Sequence, residues 1–402
     1  MKTPVPSPEL ADVFRLYGQT YRRKNNPPLA HLQVMWLIEH CRTEALGEHV
    51  ERCDNCGFER LAFNSCRNRH CPKCQSIPKE RWLQDRKREL LPVPYLHNVF
   101  TMPHELNPLV LVNKTVCFNI LFGSVAETLQ QFARDPKWKL QGQLGFIAVL
   151  HTWTQQLLDH FHLHCIIPAG VLSLDHKRWI PSPSPNQDFL FHVKCLSQVF
   201  KNKFLADLKQ AYKAGKLIFP GRTANLAKPA NFYALLRPLY QKNWNVYSKK
   251  PFAGPEQLLD YLGRYTHRVA ISNNRILSVK NGQVTFSWRD RSDGDKLKTL
   301  SLPVNEFIRR FLLHVLPNGF MRIRYFGFLS NKVKGSALPV IRQSFGLSPE
   351  LPKKIHKSVR EMMLQLTGLD INLCPQCRKG LMIEVSEHIR PRHFNRPKCR
   401  SP

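Results

Sequence analysis

The sequence predicts an α+β protein with a small metal-binding module ahead of its main domain. Three observations carry this. Helix-period and strand-period hydrophobic patterns interleave along all 402 residues. Six of the twelve cysteines fall between Cys41 and Cys74. No internal repeat and no long low-complexity tract interrupts the pattern, and the length suffices for two or three domains.

In chain order, residues 1 to about 40 read as helical, with the amphipathic run A-H-L-Q-V-M-W-L-I-E-H. The Cys-rich segment follows to about residue 76, then the charged run P-K-E-R-W-L-Q-D-R-K-R-E-L-L. Y-L-H-N-V-F-T-M-P is a strand, and helices are expected over about 106–135. Phe146 to Leu150 is a strand that ends at His151, and Phe161 to Ile167 is a second one, closed by Pro168, Ala169 and Gly170. Residues 171–188 read as a Pro- and Ser-rich hairpin or loop, and helix returns at about 195–215. A further helix opens at Pro255 and runs to about Tyr265, with Pro in its first turn and Glu256 favourable to the dipole. I-L-S-V-K-N-G-Q-V-T-F-S-W is a hairpin turning at Asn281-Gly282.

Lys and Arg outnumber Asp and Glu by 60 to 29, a net charge of +31. Such an excess, spread along the chain, calls for a polyanionic partner, most simply nucleic acid. A sticky or ribosome-associated basic protein is the plainer alternative. The start M-K-T-P-V-P-S-P-E-L lacks the apolar stretch of a signal peptide, and no apolar window is long enough to span a bilayer. Both features argue for a cytosolic protein, where clustered cysteines bind metal rather than form disulfides.

Cys53-x2-Cys56 and Cys71-x2-Cys74 are two knuckles fourteen residues apart. Each short turn aims two thiolates at one ion, and two turns complete a tetrahedron around zinc. Cys41, His49, Cys66 and His70 alternate with these knuckles and allow a cross-braced second zinc site. Cys66 and His70 could equally be structural or touch DNA. Arg67, Arg69 and Lys73 among the ligands suit phosphate, although the module could be a folding staple alone.

The second cluster is H-T-W-T-Q-Q-L-L-D-H-F-H-L-H, with four histidines in fourteen residues. On a strand, His162 and His164 share one face and Leu163 takes the other. Two imidazoles leave coordination positions open, as a catalytic ion requires, and His151 could be the third ligand, with Gln155, Asp159 and His160 nearby. A solvated strand face is the bland alternative. Farther on, Tyr261 and Tyr265 lie one helical turn apart, so their hydroxyls point the same way beside Arg264, His267 and Arg268. Packing explains many such tyrosines. A metal-assisted reaction gives them another use. A phenol can attack a DNA phosphorus, form a 5′-phosphotyrosine and release a 3′-OH, and the conserved bond energy permits religation.

His-hydrophobic-His followed by Tyr-x3-Tyr resembles the HUH endonucleases. N-S-C-R-N-R-H-C-P-K-C, F-T-M-P-H-E-L, H-L-H-C-I-I-P-A-G and Y-L-G-R-Y-T-H-R-V-A-I-S together resemble the two-tyrosine rolling-circle transposases of bacterial insertion sequences, over most of residues 30–335. The resemblance implies an HUH-like antiparallel sheet with flanking helices, preceded by the small zinc-binding domain. It also implies His162 and His164 as ligands of Mg2+ or Mn2+, Tyr261 and Tyr265 as nucleophiles, single-stranded DNA with hairpin ends as substrate, and work at the bacterial nucleoid. The spacing of His151 looks like the three-histidine motif of conjugative relaxases. Family members often carry proline just before the His pair, where this chain has Phe161. The expected organisation is a helical segment over 1–35, a zinc-binding domain over 36–90, the nuclease domain over 91–335 and a basic region over 336–402.

Weaker signals remain. His104 and Glu105 read as structural or DNA-contacting, and Cys165 as a core thiol. Arg264, His267 and Arg268 suit phosphate near the scissile bond. Arg322, Arg324 and Tyr325 sit in a strand-like run that could stack and pair with single-stranded DNA. Cys374-x2-Cys377 starts another knuckle, with His393 and Cys399 as candidate partners. Two readings compete with a transposase: a replication initiator using the same chemistry, and a zinc-dependent DNA-binding protein without catalysis.

Overall fold

The computed structural model describes residues 7–183, 190–252, 257, 258, 261, 263 and 269–388. Helices α1 (Leu10–Asn25) and α2 (Leu29–Glu39) open the chain, followed by strands β1 (Glu48–Cys53) and β2 (Glu59–Phe63) and helix α3 (Ser76–Glu89). Then come β3 (Tyr95–Thr101), α4 (Asn107–Val112), α5 (Lys114–Arg134), β4 (Gly142–Gln143), β5 (Phe146–Trp153) and β6 (Asp159–Pro168). After β7 (Gly170–Ser173) and β8 (Trp179–Pro181), α6 (Val193–Lys213) and α7 (Pro229–Gln241) lead to β9 (Val246–Phe252). The remainder holds β10 (Ile276–Lys280), β11 (Gln283–Asp290), β12 (Lys296–Pro303), β13 (Ile323–Phe326) and β14 (Met382–His388). The class is α+β, with antiparallel sheets and flanking helices.

Two compact units emerge, and neither is a single stretch of chain. One comprises residues 1–81, 267–315 and 355–402; the other comprises 82–266 and 316–354. The expected segments therefore divide differently: 36–90 straddles a boundary, and 267–315 groups with the N-terminal unit rather than with the nuclease segment.

The second unit is built on a five-stranded sheet in the order β13-β5-β6-β3-β9. Every pairing in it is antiparallel. Alternation sorts the side chains. Phe161, Leu163, Cys165 and Ile167 of β6, with Phe146, Ala148 and Leu150 of β5, enter the large core beneath α4, α5 and α6. Phe161 and Cys165 are fully buried there, so both serve packing. Each such phenylalanine, removed from water, stabilises the fold by about 1.5–3 kcal/mol. The opposite parity on both strands, including His151, His162, His164 and Ile166, faces the other way.

In the first unit, α1 packs with α2 and with the helix Val304–Leu313, where Phe14 meets Phe311 edge-on at 5.7 Å between ring centroids. The expected hairpin is β10–β11, with Asn281 at φ 51° and Gly282 at φ 71°. Those left-handed angles suit a type I′ turn, which Asn-Gly favours. The Cys-rich segment contains an antiparallel pair, β1–β2, that the sequence pattern did not reveal. β14 pairs with the other edge of β1. Among the described residues, no helix is long and apolar enough to cross a membrane.

Candidate functional site

The site begins with register. His151 on β5 lies directly opposite His162 on β6, and His164 lies opposite Val149. Directly opposed residues share a face, so the three imidazoles gather on the side of the sheet away from the large core. All three are buried. Their ligand nitrogens lie within 4.8 Å of one another. The Nε2 atoms of His162 and His164 are 3.0 Å apart. The His151 ring lies 4.4 Å from His164 and 5.5 Å from His162 between centroids.

On the other side of β6, β3 supplies a fourth imidazole. His97 is opposite Ile166, one pleat from His164, and its Nε2 lies 2.8 Å from His164 Nδ1. The two rings stack at 5.0 Å. Sequence alone does not mark His97. A lone histidine in Y-L-H-N-V-F has no spacing signal, and only the β6–β3 pairing brings it to the site.

Burial disfavours the charged imidazolium. It holds His97 down at about 3, with the positive charge of Lys249 adding to the effect. His162 is pushed well below its ordinary value by burial and by the neighbouring His151 and His160. The backbone carbonyl of His160 lies 3.0 Å from His162 Nδ1, which suits an N–H donor there and leaves Nε2 bare. Two bare Nε2 lone pairs at close range repel unless a cation or a proton sits between them. Three buried, converging imidazoles therefore fit a divalent cation.

Tyr261 closes this group. It is helical, and Leu258, one turn before it, is fully buried against Tyr95 and Ile166. The Tyr261 hydroxyl lies 2.8 Å from His97 Nε2 and 3.3 Å from His164 Nδ1. Tyr265, Arg264, His267 and Arg268 lie outside the described residues.

The other expected positions fall elsewhere. Arg324, on edge strand β13, lays its guanidinium over Phe122 at 4.2 Å and Phe320 at 5.0 Å, and donates to Asn119 Oδ1 at 2.6 Å. The carbonyl of Arg322 accepts a hydrogen bond from the Leu150 amide at 2.8 Å. Tyr325 accepts from Trp82 Nε1 at 2.7 Å and lies beneath Arg86, so it is a packing residue in this structure. Glu105 pairs with Lys242 at 2.7 Å, and His104 is exposed.

The cysteine pairing differs from the expected one. Cys53 and Cys56 do not share a cluster with Cys71 and Cys74. Cys41, Cys66, Cys71 and Cys74 form one group, and Cys53, Cys56, Cys374 and Cys377 form another. The reason is topological: β1 and β2 carry the first knuckle away from the second and toward β14. His49 belongs to neither group and instead approaches Glu51 at 3.5 Å. His70 is also outside both, with its backbone amide donating to Asn68 Oδ1 at 2.8 Å. His393 and Cys399 lie outside the described residues. In the first group, Cys41 and Cys66 stand 3.5 and 3.6 Å from Cys74 between sulfurs, too far apart for disulfides.

Comparison with known proteins settles the family. The profile described as "Putative transposase" matches residues 145–337, and the one described as "Transposase zinc-binding domain" matches residues 13–102. A Sinorhizobium fredii protein named "Putative transposase y4qJ" is 47% identical over 94% of this chain and 95% of its own length. The chain belongs to this transposase family. The "Transposase for insertion sequence element IS801" of Pseudomonas savastanoi pv. phaseolicola is 27% identical, over 78% of this transposase and 73% of its own length. No solved structure gives a significant match. The zinc-binding match encloses Cys41, Cys66, Cys71 and Cys74, whose four thiols suit one structural zinc ion.

Proposed function

We propose that this transposase nicks and rejoins single-stranded DNA at insertion-sequence ends through 5′-phosphotyrosine intermediates, as in rolling-circle transposition. The observation that carries the reading is the convergence of His151, His162 and His164 beside the Tyr261 hydroxyl. A buried, metal-competent face next to a phenol is what strand cleavage needs.

His151, His162 and His164 would hold the divalent ion. When bound, a Mg2+ or Mn2+ ion there polarises the scissile phosphate and eases the build-up of charge on its oxygens. The remaining chemistry belongs to the chain. Tyr261 Oη attacks phosphorus, the bond from phosphorus to the 3′-oxygen breaks, and that oxygen takes a proton from solvent. The phenolic proton has a neutral imidazole nitrogen of His97 within reach, 2.8 Å away. Tyr265, four residues on in the sequence, is the second nucleophile of the proposal, so that one strand end can be held while another is cut. Arg264, His267 and Arg268 would neutralise phosphates flanking the cut, and Arg322 and Arg324 would contact the strand farther away.

The net charge of +31 supports binding to the phosphate backbone, whatever the sequence read. A joining assay separates transposition from replication initiation. The purified protein is mixed with Mn2+, both single-stranded ends of the element and a target strand. Products in which both ends are joined to the target support transposition, and cleavage at a single origin-like site without joining contradicts it.

A further inference from the structure

We propose that Cys53, Cys56, Cys374 and Cys377 form a second structural zinc site, which fastens a segment more than 300 residues downstream into the N-terminal zinc-binding domain. The matched domain ends at residue 102 and contains only half of these ligands.

The sulfur geometry is the first argument. All four sulfurs lie within 4.8 Å of one another. Cys53 to Cys377 is 3.7 Å, and Cys56 to Cys374 is 3.7 Å. A disulfide needs about 2.05 Å. A tetrahedron with Zn–S bonds of about 2.3 Å has edges of about 3.8 Å. The observed separations match a zinc tetrahedron and exclude a disulfide.

The surrounding backbone is the second argument. Amide N–H groups aim at the thiolates, as they do around a metal-bound sulfur that carries negative charge. Asn55 N and Cys56 N approach Cys53 Sγ at 3.4 and 3.5 Å, and Gly380 N approaches Cys377 Sγ at 3.4 Å. The two knuckles are also locked to each other. Asp54 N donates to the Leu381 carbonyl at 3.0 Å, and Leu381 N donates to Asp54 Oδ1 at 2.7 Å. β14 then continues as the antiparallel partner of β1, with Cys53 opposite Met382.

The third argument is Gly380. A Cβ at this position would stand 2.5 Å from Cys53 Sγ and 2.5 Å from Asn55 Cβ. Only glycine lets the second knuckle close on the first. Cys53 and Cys374 are buried with Met382 and ringed by Phe58 and Cys377, a cluster too small to fold as an apolar core.

The test is metal content and thiol protection in the full-length protein, not activity. Under reducing conditions and in a His162→Ala/His164→Ala background, which keeps zinc off the histidine site, the chain should carry two zinc ions, measured by elemental analysis and native mass spectrometry. In the same background, Cys374→Ser/Cys377→Ser should carry one, and Cys377→His, which keeps a zinc-binding donor, should restore the second. Alkylation of the folded wild type, read by peptide mass spectrometry, covers the case of a variant that fails to fold. Cys374 and Cys377 should be protected until a chelator is added. Free alkylation of both in the zinc-loaded wild type, or two zinc ions retained in the double serine variant, would overturn the proposal.

Discussion

The Tyr261 hydroxyl and the His97 imidazole lie 2.8 Å apart, and the same His97 nitrogen lies 2.8 Å from Nδ1 of His164. One buried side chain on β3 thus touches both the proposed nucleophile and a proposed metal ligand. Outer partners of a ligating histidine fix its ring orientation and tautomer.

His97→Phe keeps the ring volume and removes both nitrogens. It should lower metal-dependent strand cleavage by roughly 10–100-fold and raise the Mn2+ concentration needed for half-maximal cleavage, since outer partners of a ligand contribute on that scale. A Mn2+ titration of nicking checks this. An unchanged midpoint with reduced maximal rate would assign His97 to Tyr261 alone.

Gly327 sits at φ 57°, and a Cβ there would lie 1.6 Å from the Leu144 carbonyl oxygen. Gly327→Ala should therefore destabilise the protein by about 3 kcal/mol or more, through backbone strain and steric overlap. Urea unfolding of the sheet-bearing unit should show a lower midpoint with an unchanged slope. Gly335→Ala is the control, because a Cβ there meets nothing within 4 Å.

Arg324 is held over Phe122 and Phe320 and bonded to Asn119, so its charge is fixed in place. If it meets a phosphate, Arg324→Gln should weaken single-stranded DNA binding for every sequence. It should also reduce the slope of log affinity against log salt by about 0.7. Fluorescence anisotropy at several salt concentrations measures both. An unchanged slope would leave Arg324 with packing alone.

Dialysis against a strong chelator should unfold the Cys-rich part of the molecule before the five-stranded sheet. The sheet rests on the phenylalanine-rich core, whereas the cysteine clusters have little apolar surface of their own. Circular dichroism with and without added zinc would show a partial loss that zinc reverses. A loss of all structure at once would contradict the independence of the sheet.

The histidine face was legible in the sequence because strand alternation has a period of two. His162 and His164 had to share a face once Leu163 was core, and Asn281-Gly282 announced its hairpin in the same local way. What escaped was non-local. His97 joins the site through pairing between β3 and β6, two strands far apart in sequence. A C-x2-C turn says that two thiolates point together, but not which other pair they meet. Cys53 and Cys56 meet Cys374 and Cys377 because β14 returns to the edge of β1, and no spacing rule encodes that return. The division into two interleaved units follows from the same long-range returns.

The most direct test of the central claim is covalent trapping. Purified protein is incubated with labelled single-stranded DNA from the element's end and Mn2+ or Mg2+, then run on a denaturing gel beside Tyr261→Phe, Tyr265→Phe, the double mutant and His162→Ala/His164→Ala. The account predicts a protein–DNA adduct that needs metal and both histidines, survives in at most one single-tyrosine variant, and disappears in the double mutant. DNA binding without an adduct under any metal condition would contradict it.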